Sequence, residues 1–340
     1  MIEMAALRCV FFPLSLFLCA FSLFGTERGT YHHYFTLRGD AVLWRRSNGF
    51  QRFNQRLVEL AKKTPKEGNT AVIQSLPNGV ESSQLLHRMY EDLGVRIGID
   101  VVSDRRVTWS ASYTGFLHWE GREQLERSGK LSLPFPSHSI SSYYQGADRV
   151  NALYSSNFYS VDLTHWRHVT PRYVDAVAIS WTAGLQFFSL NERINLNFTK
   201  KEVTNPYHLE TRSRSFGPFF GFHFECNPHA YITCGVTGNI GGLVSQSDRK
   251  IAMLSINQGA TVQGYGSRIA SPAYFVHVHP FIDIHLIKFF NCLIGYDVLY
   301  LDRVAVADRQ LVTQVKAKEK PNCKGHVILC GFFAGIQLNF

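Results

Sequence analysis

HVILCGFFAGIQLNF, residues 326–340, ends the chain and decides how the rest is read. Stepping back by two from the last residue gives Phe340, Leu338, Ile336, Ala334, Phe332, Cys330 and Ile328, all apolar. The intervening set, Asn339, Gln337, Gly335, Phe333, Gly331, Leu329 and Val327, becomes small and polar toward the terminus. A β-strand sends alternate side chains to opposite faces, so this is one apolar face and one mixed face. Two readings fit. One is the terminal strand of a soluble sheet. The other is the closing strand of a membrane-spanning barrel, whose lipid face takes an aromatic at the interface.

Composition narrows the choice. The chain has 340 residues, 45% of them hydrophobic and 14% aromatic, with 26 glycines. That mixture suits strands, tight turns and aromatic girdles. Beyond the N-terminus no run approaches the ~20 apolar residues of a membrane helix. The net charge is +9, but Lys and Arg are scattered and form no binding motif, which excludes a nucleic-acid partner. A surface near lipid headgroups, or a lumen favouring anions, accounts for the charge.

Arg8 is followed by CVFFPLSLFLCAFSLF, residues 9–24, which carries no charge. The run is short for a spanning helix and right for the core of a secretory signal. Residues 1–25 therefore read as a signal peptide, cut after Ser22 or Gly25, with an uncleaved anchor as the alternative. Residues 26–340 are the exported part. It keeps Cys226, Cys234, Cys292, Cys323 and Cys330, an odd set with no zinc-type spacing.

Alternation predicts strands over 34–45, 93–102, 107–119, 151–165, 174–188, 212–225, 230–244, 273–286, 291–304 and 326–340. The clearest is the second, with Leu93, Val95, Ile97, Ile99 and Val101 against Gly94, Arg96, Gly98 and Asp100. In the third, Trp109 and Trp119 fall on one face and bracket it as an interfacial girdle would. The stretches 46–92, 120–149, 188–211, 245–272 and 305–325 read as long loops. The first holds a helical spacing in FNQRLVELAKK, residues 53–63. The remaining connections are short turns. Long and short connections thus alternate, as in barrels with long outer loops and short periplasmic turns. The expected fold is all-β, a transmembrane antiparallel up-and-down β-barrel of about ten strands. If 192–199 and 250–261 also span, the count is twelve.

Four blocks carry a family resemblance: YFTLRGDAVLWRRSNG, AISWTAGLQFFSLNERINL, RSFGPFFGFHFE and HPFIDIHLIKFFNCLIGYDVLYLDRV. In this order they resemble successive strands of an uncharacterised outer-membrane β-barrel family of planctomycete- and chlamydia-type bacteria. The resemblance extends over most of 34–340 but not over 46–92 or 120–149. It implies an integral outer-membrane barrel, with a porin as one reading, and no catalytic residues. The end of the chain, with Ile336, Leu338 and Phe340, also resembles the signal read by the barrel-assembly machinery.

On the parity opposite the apolar set lie Arg38, Asp40, Arg96, Asp100, Asp162, His277, His279, Asp283, His285 and Asp297, which are expected to face the lumen. A charged side chain facing lipid costs about 2–4 kcal/mol for Arg or Lys at the midplane. His277 and His279 have the spacing to chelate a metal with Asp283 or His285 helping. Pro280 and Phe281 interrupt that set, so the expectation is a polar lumen wall and no metal or other cofactor. Neither GxSxG nor HExxH occurs, and the chain is not expected to be an enzyme. The expected function is a porin-like outer-membrane channel for small solutes. The alternative is a non-conducting structural or surface-interaction barrel, with a barrel hydrolase behind both. The expected partners are the lipid bilayer and the assembly machinery.

Overall fold

The computed structural model describes residues 35–47, 59–60, 85, 89–104, 106–132, 144–169, 177–229, 231–255, 261–287, 289–310 and 320–340. The signal-peptide segment 1–25 lies outside them. Long strands make up most of the described chain: β1 (Phe35–Ser47), β2 (Asp92–Asp104), β3 (Val107–Ser132), β4 (Gln145–His168), β5 (Val177–Lys200), β6 (Val203–His229), β7 (Ile232–Ser255), β8 (Thr261–Ile287), β9 (Phe290–Val304) and β10 (Gly325–Asn339). Each pairs antiparallel with its neighbour in sequence. β1 pairs with β10, and β3 pairs with β4, so ten strands form a closed barrel. No described helix is long and apolar enough to cross a membrane. Glu59 and Leu60, inside the segment expected to be helical, pair as a short strand with Ser132 and Leu131.

The strands are longer than alternation predicted, and one physical reason covers the difference. On β5 the outward residues Val177, Ile179, Trp181 and Leu185 are exposed and apolar, while the inward Ser180, Thr182 and Gln186 are polar and buried. Beyond Phe188 the chemistry trades sides. Leu190, Ile194, Leu196 and Phe198 are now buried inside, and Asn191, Arg193 and Asn197 lie outside. The wall has left an apolar surrounding for water, so the apolar face must turn inward. β4 repeats this, with Ser160 and Thr164 inward near the short turns and Val150, Ala152 and Tyr154 inward farther up.

The expected loops 188–211 and 245–272 are therefore mostly strand. β5 and β6 stay in register from Val177 opposite Cys226 to Lys200 opposite Val203. Only Lys201 and Glu202 turn the chain, both with positive φ. The expected loop 120–149 is likewise strand to Ser132 and again from Gln145. Residues 192–199 and 250–255 extend β5 and β7, so they add no strands to the barrel.

Trp119 corrects a second expectation. A bulge falls between Thr114 and Leu117, where Phe116 has φ 63°. One extra residue moves every following side chain to the other face. Trp109 stays outside, but Leu117 and Trp119 turn inward and are buried. Trp119 is thus a core residue that donates its indole N–H to the Trp44 carbonyl at 2.9 Å.

Candidate functional site

The inner wall has two zones. Toward the long-loop end it is filled by apolar side chains. At the level where lipid-facing chemistry ends, almost every strand sends in a large one: Trp44, Leu117, Phe158, Phe188, Phe219, Leu243, Phe275, Leu299 and Phe333. β2 provides Gly94 there, where a Cβ would meet the Leu117 side chain at 2.8 Å. Aromatic contacts cross the barrel as a chain, Trp44 to Phe158 (6.1 Å), Phe158 to Phe188 (6.0 Å), Phe188 to Phe275 (5.1 Å) and Phe275 to Phe219 (6.1 Å). These centroid separations lie in the range of favourable tilted and edge-on packing. The side chains form a septum.

Below the septum, toward the short turns, lies a polar chamber of about 170 Å³. Arg38, Arg96, Asp100, Asp162, His277, His279 and Asp283 line it, Leu293 adds an apolar side chain to its wall, and Trp44, Phe188, Phe219 and Leu299 of the septum close it above. Asp40 and Asp297 are buried in the wall behind it. His285 lies nearer the short turns, bonded to the Thr233 hydroxyl at 2.9 Å and 4.0 Å from Asp283.

A chain of charges organises the chamber. Asp40 of β1 sits opposite Arg96 of β2 in the register. Its Oδ2 receives Arg38 at 2.7 Å and Arg96 at 3.5 Å. Gly335 makes room for this buried carboxylate, since a Cβ there would stand 2.1 Å from Asp40 Oδ1. Arg96 then reaches past β1 and β10 to donate to Asp297 Oδ2 at 2.5 Å. The Trp44 indole N–H donates to the same oxygen at 3.1 Å. Asp297 Oδ1 accepts from His277 Nε2 at 3.1 Å and from His279 Nδ1 at 2.6 Å. Phe333 lies between the two halves of this group. His279 stacks on it at 4.4 Å, and the Arg96 guanidinium stands over it at 5.1 Å. A buried charge is tolerated only when paired and hydrogen-bonded, and Asp297 has four donors.

The histidine pair thus meets Asp297, the residue next to it across β8 and β9, rather than Asp283 or His285. Asp283 accepts from Asn291 at 3.2 Å. Asp162 accepts from the Ser112 hydroxyl at 2.6 Å. Phe281, which separates His279 from Asp283 along the inner face of β8, packs against His279 and stacks on His223. His223 and Glu225, bonded at 2.8 Å, also line the chamber. Their His-x-Glu spacing on the inner parity was the sequence signal that could have marked them.

A second buried group lies above the septum. After β9 the chain turns inward as a short 3-10 helix, Ala307–Gln310, against β5 and β6. Ser213 of β6 bonds both backbone groups of Ala305. Glu192 of β5 accepts from the Ala307 N–H at 2.7 Å and the Tyr154 hydroxyl at 3.0 Å. It also pairs with Arg46 of β1, and both side chains are fully buried. Burial beside Glu192 pushes the Asp308 carboxyl up to about 6, against the opposing pull of Arg46. Glu192 and Asp308 fell in stretches expected to be loops, so nothing in the sequence singled them out.

No protein family matches the chain, and no curated protein is similar to it in sequence. Solved structures resemble it in fold. The outer membrane protease OmpT from Escherichia coli is 11% identical, with 93% of this chain and 99% of that chain covered and a TM-score of 0.44. The translocator domain of the autotransporter NalP from Neisseria meningitidis is 9% identical over 93% and 91% of the two chains, with a TM-score of 0.29. A Pseudomonas aeruginosa FadL homologue is 5% identical over 91% and 90%, with a TM-score of 0.26. At such identities nothing about activity passes from these proteins to this one, and the chain stands as a closed ten-stranded antiparallel barrel.

Proposed function

We propose that this chain is an integral outer-membrane barrel that is closed to small solutes in its resting form, the structural or surface-interaction reading rather than the porin-like channel. The septum carries the proposal. Side chains of adjoining and facing strands touch across the lumen, and Trp44, Phe158, Phe275 and Phe333 are each no more than 2% exposed. Hydrated solutes would have to displace a packed apolar layer. In this reading the short turns face the periplasm and the extended strands stand outside the membrane. Assignment to the planctomycete- and chlamydia-type family belongs to the same proposal.

Conductance tests it. Refolded protein in a planar bilayer should give no stable unitary steps, and Phe188→Ala with Phe275→Ala should introduce them. Stable steps from the unaltered chain would restore the porin-like reading. A hydrolase remains the least favoured reading, and ester or peptide turnover lost in Asp283→Ala would revive it. We further propose that Phe340 guides assembly. It closes the barrel by exchanging backbone hydrogen bonds with Phe35 at 2.8 and 3.1 Å. Deleting it should impair insertion while leaving export intact.

A further inference from the structure

We propose that His277, His279 and Asp297 form a mononuclear site for a divalent transition-metal ion of the zinc class, with the chamber supplying the remaining coordination. The inference is independent of whether the barrel conducts.

The fold builds the donor set. His277 and His279 are two apart on β8, so both face inward. Asp297 lies on β9, where Val298 pairs with Val278, which places it beside His279. One ligand atom from each residue lies within 4.8 Å of the others. Ligands about 2.0–2.1 Å from a tetrahedral ion stand roughly 3.3 Å apart. The two N···O separations of 3.1 and 2.6 Å both fall short of that value by less than an ångström, so a small opening would admit an ion.

The supporting contacts favour the same reading. Arg96 and Trp44 both hold Oδ2 of Asp297, so Oδ1 is the atom presented to the histidines. Phe333 fixes the plane of His279 at an angle of 12°. Outer contacts that orient ligands in this way are a regular part of metal sites. The site is also reachable. His277 keeps 25% of its side-chain exposure, and both histidines line the chamber. Two imidazoles and one carboxylate suit zinc, cobalt, nickel or copper better than calcium or magnesium. Binding would take one bare nitrogen from each neutral ring, so the N–H now shared with Asp297 moves to the ring nitrogen that faces away from the ion and no net proton is released. The Arg96 charge opposes the ion, but Asp40 and Asp297 already pair with that charge.

The probe is Co²⁺ added to the untagged full chain refolded in detergent. The expected result is a saturable visible d–d spectrum of the intensity typical of four-coordinate cobalt, at one ion per chain, reversed by Zn²⁺. The His277→Ala, His279→Ala double variant should lose it. Asp297→Asn should weaken affinity about tenfold or more. Heat-modifiable gel migration verifies that each variant has folded. If the double variant does not fold, His277→Gln at the partly exposed position replaces it, with the same weakening expected. Absence of a saturable spectrum overturns the proposal. So does an unchanged spectrum and affinity in a folded variant lacking the histidines.

Discussion

Asp308 shows how one residue responds to the packing around it. Burial pushes its carboxyl up to about 6, and Glu192 adds to the rise. The folded chain therefore holds that proton more tightly than the unfolded chain does. Its contribution to stability is full at acidic pH and is lost as pH rises from about 4 through about 6. The inward segment Ala305–Gln310 should be better protected from hydrogen exchange at pH 4 than at pH 7. Asp308→Asn should remove the difference, and equal protection at both pH values in the unaltered chain would count against the arrangement. The neighbouring Arg46–Glu192 pair is buried on both sides. Removing one member of a buried pair costs about 3–5 kcal/mol, so Glu192→Ala should lower the urea midpoint substantially. Sequence periodicity is enough to assign Arg96 and Asp297 to the inner parity. Their contact across the lumen depends on strand order and on the long reach of Arg96, which no local pattern encodes.

Elements tell a different story. The lipid-facing halves of the strands were readable because alternation with period two is strong where one face meets hydrocarbon. The outer halves keep the same period with the sides exchanged, so Ile194, Leu196 and Phe198 read equally as a hairpin extension beyond the membrane or as an extra spanning strand within a stretch taken as a loop. The bulge at Phe116 was hidden for a related reason. One inserted residue changes the parity without changing the composition, and Trp119 was assigned to the wrong face. The tight turn of the β5–β6 hairpin was not legible because its residues are Lys201 and Glu202, where Asn and Gly are the usual signal. Both have positive φ, at 47° and 71°. Glu202→Gly should therefore relieve backbone strain and stabilise the barrel by up to about 1 kcal/mol, read as a higher unfolding midpoint. No gain would mean that the turn carries little strain.

At the scale of the molecule, the barrel consists of two stacked parts with opposite sidedness. One has an apolar exterior and a polar chamber. The other has a polar exterior and an apolar core. Labelling can read this division directly. In a chain with its own cysteines replaced, Arg193→Cys should react with a membrane-impermeant maleimide in intact outer membranes, and Phe222→Cys should not. Both positions face outward and are exposed, so only the surrounding medium distinguishes them. Equal labelling would remove the boundary. The septum at that boundary also decides which compartment the chamber equilibrates with. With the long-loop end sealed, anything that reaches His277 comes from the short-turn side. In the orientation proposed above, the occupancy of that chamber follows the composition of the cell's own periplasm, buffered from the external medium that this orientation places around the rest of the barrel.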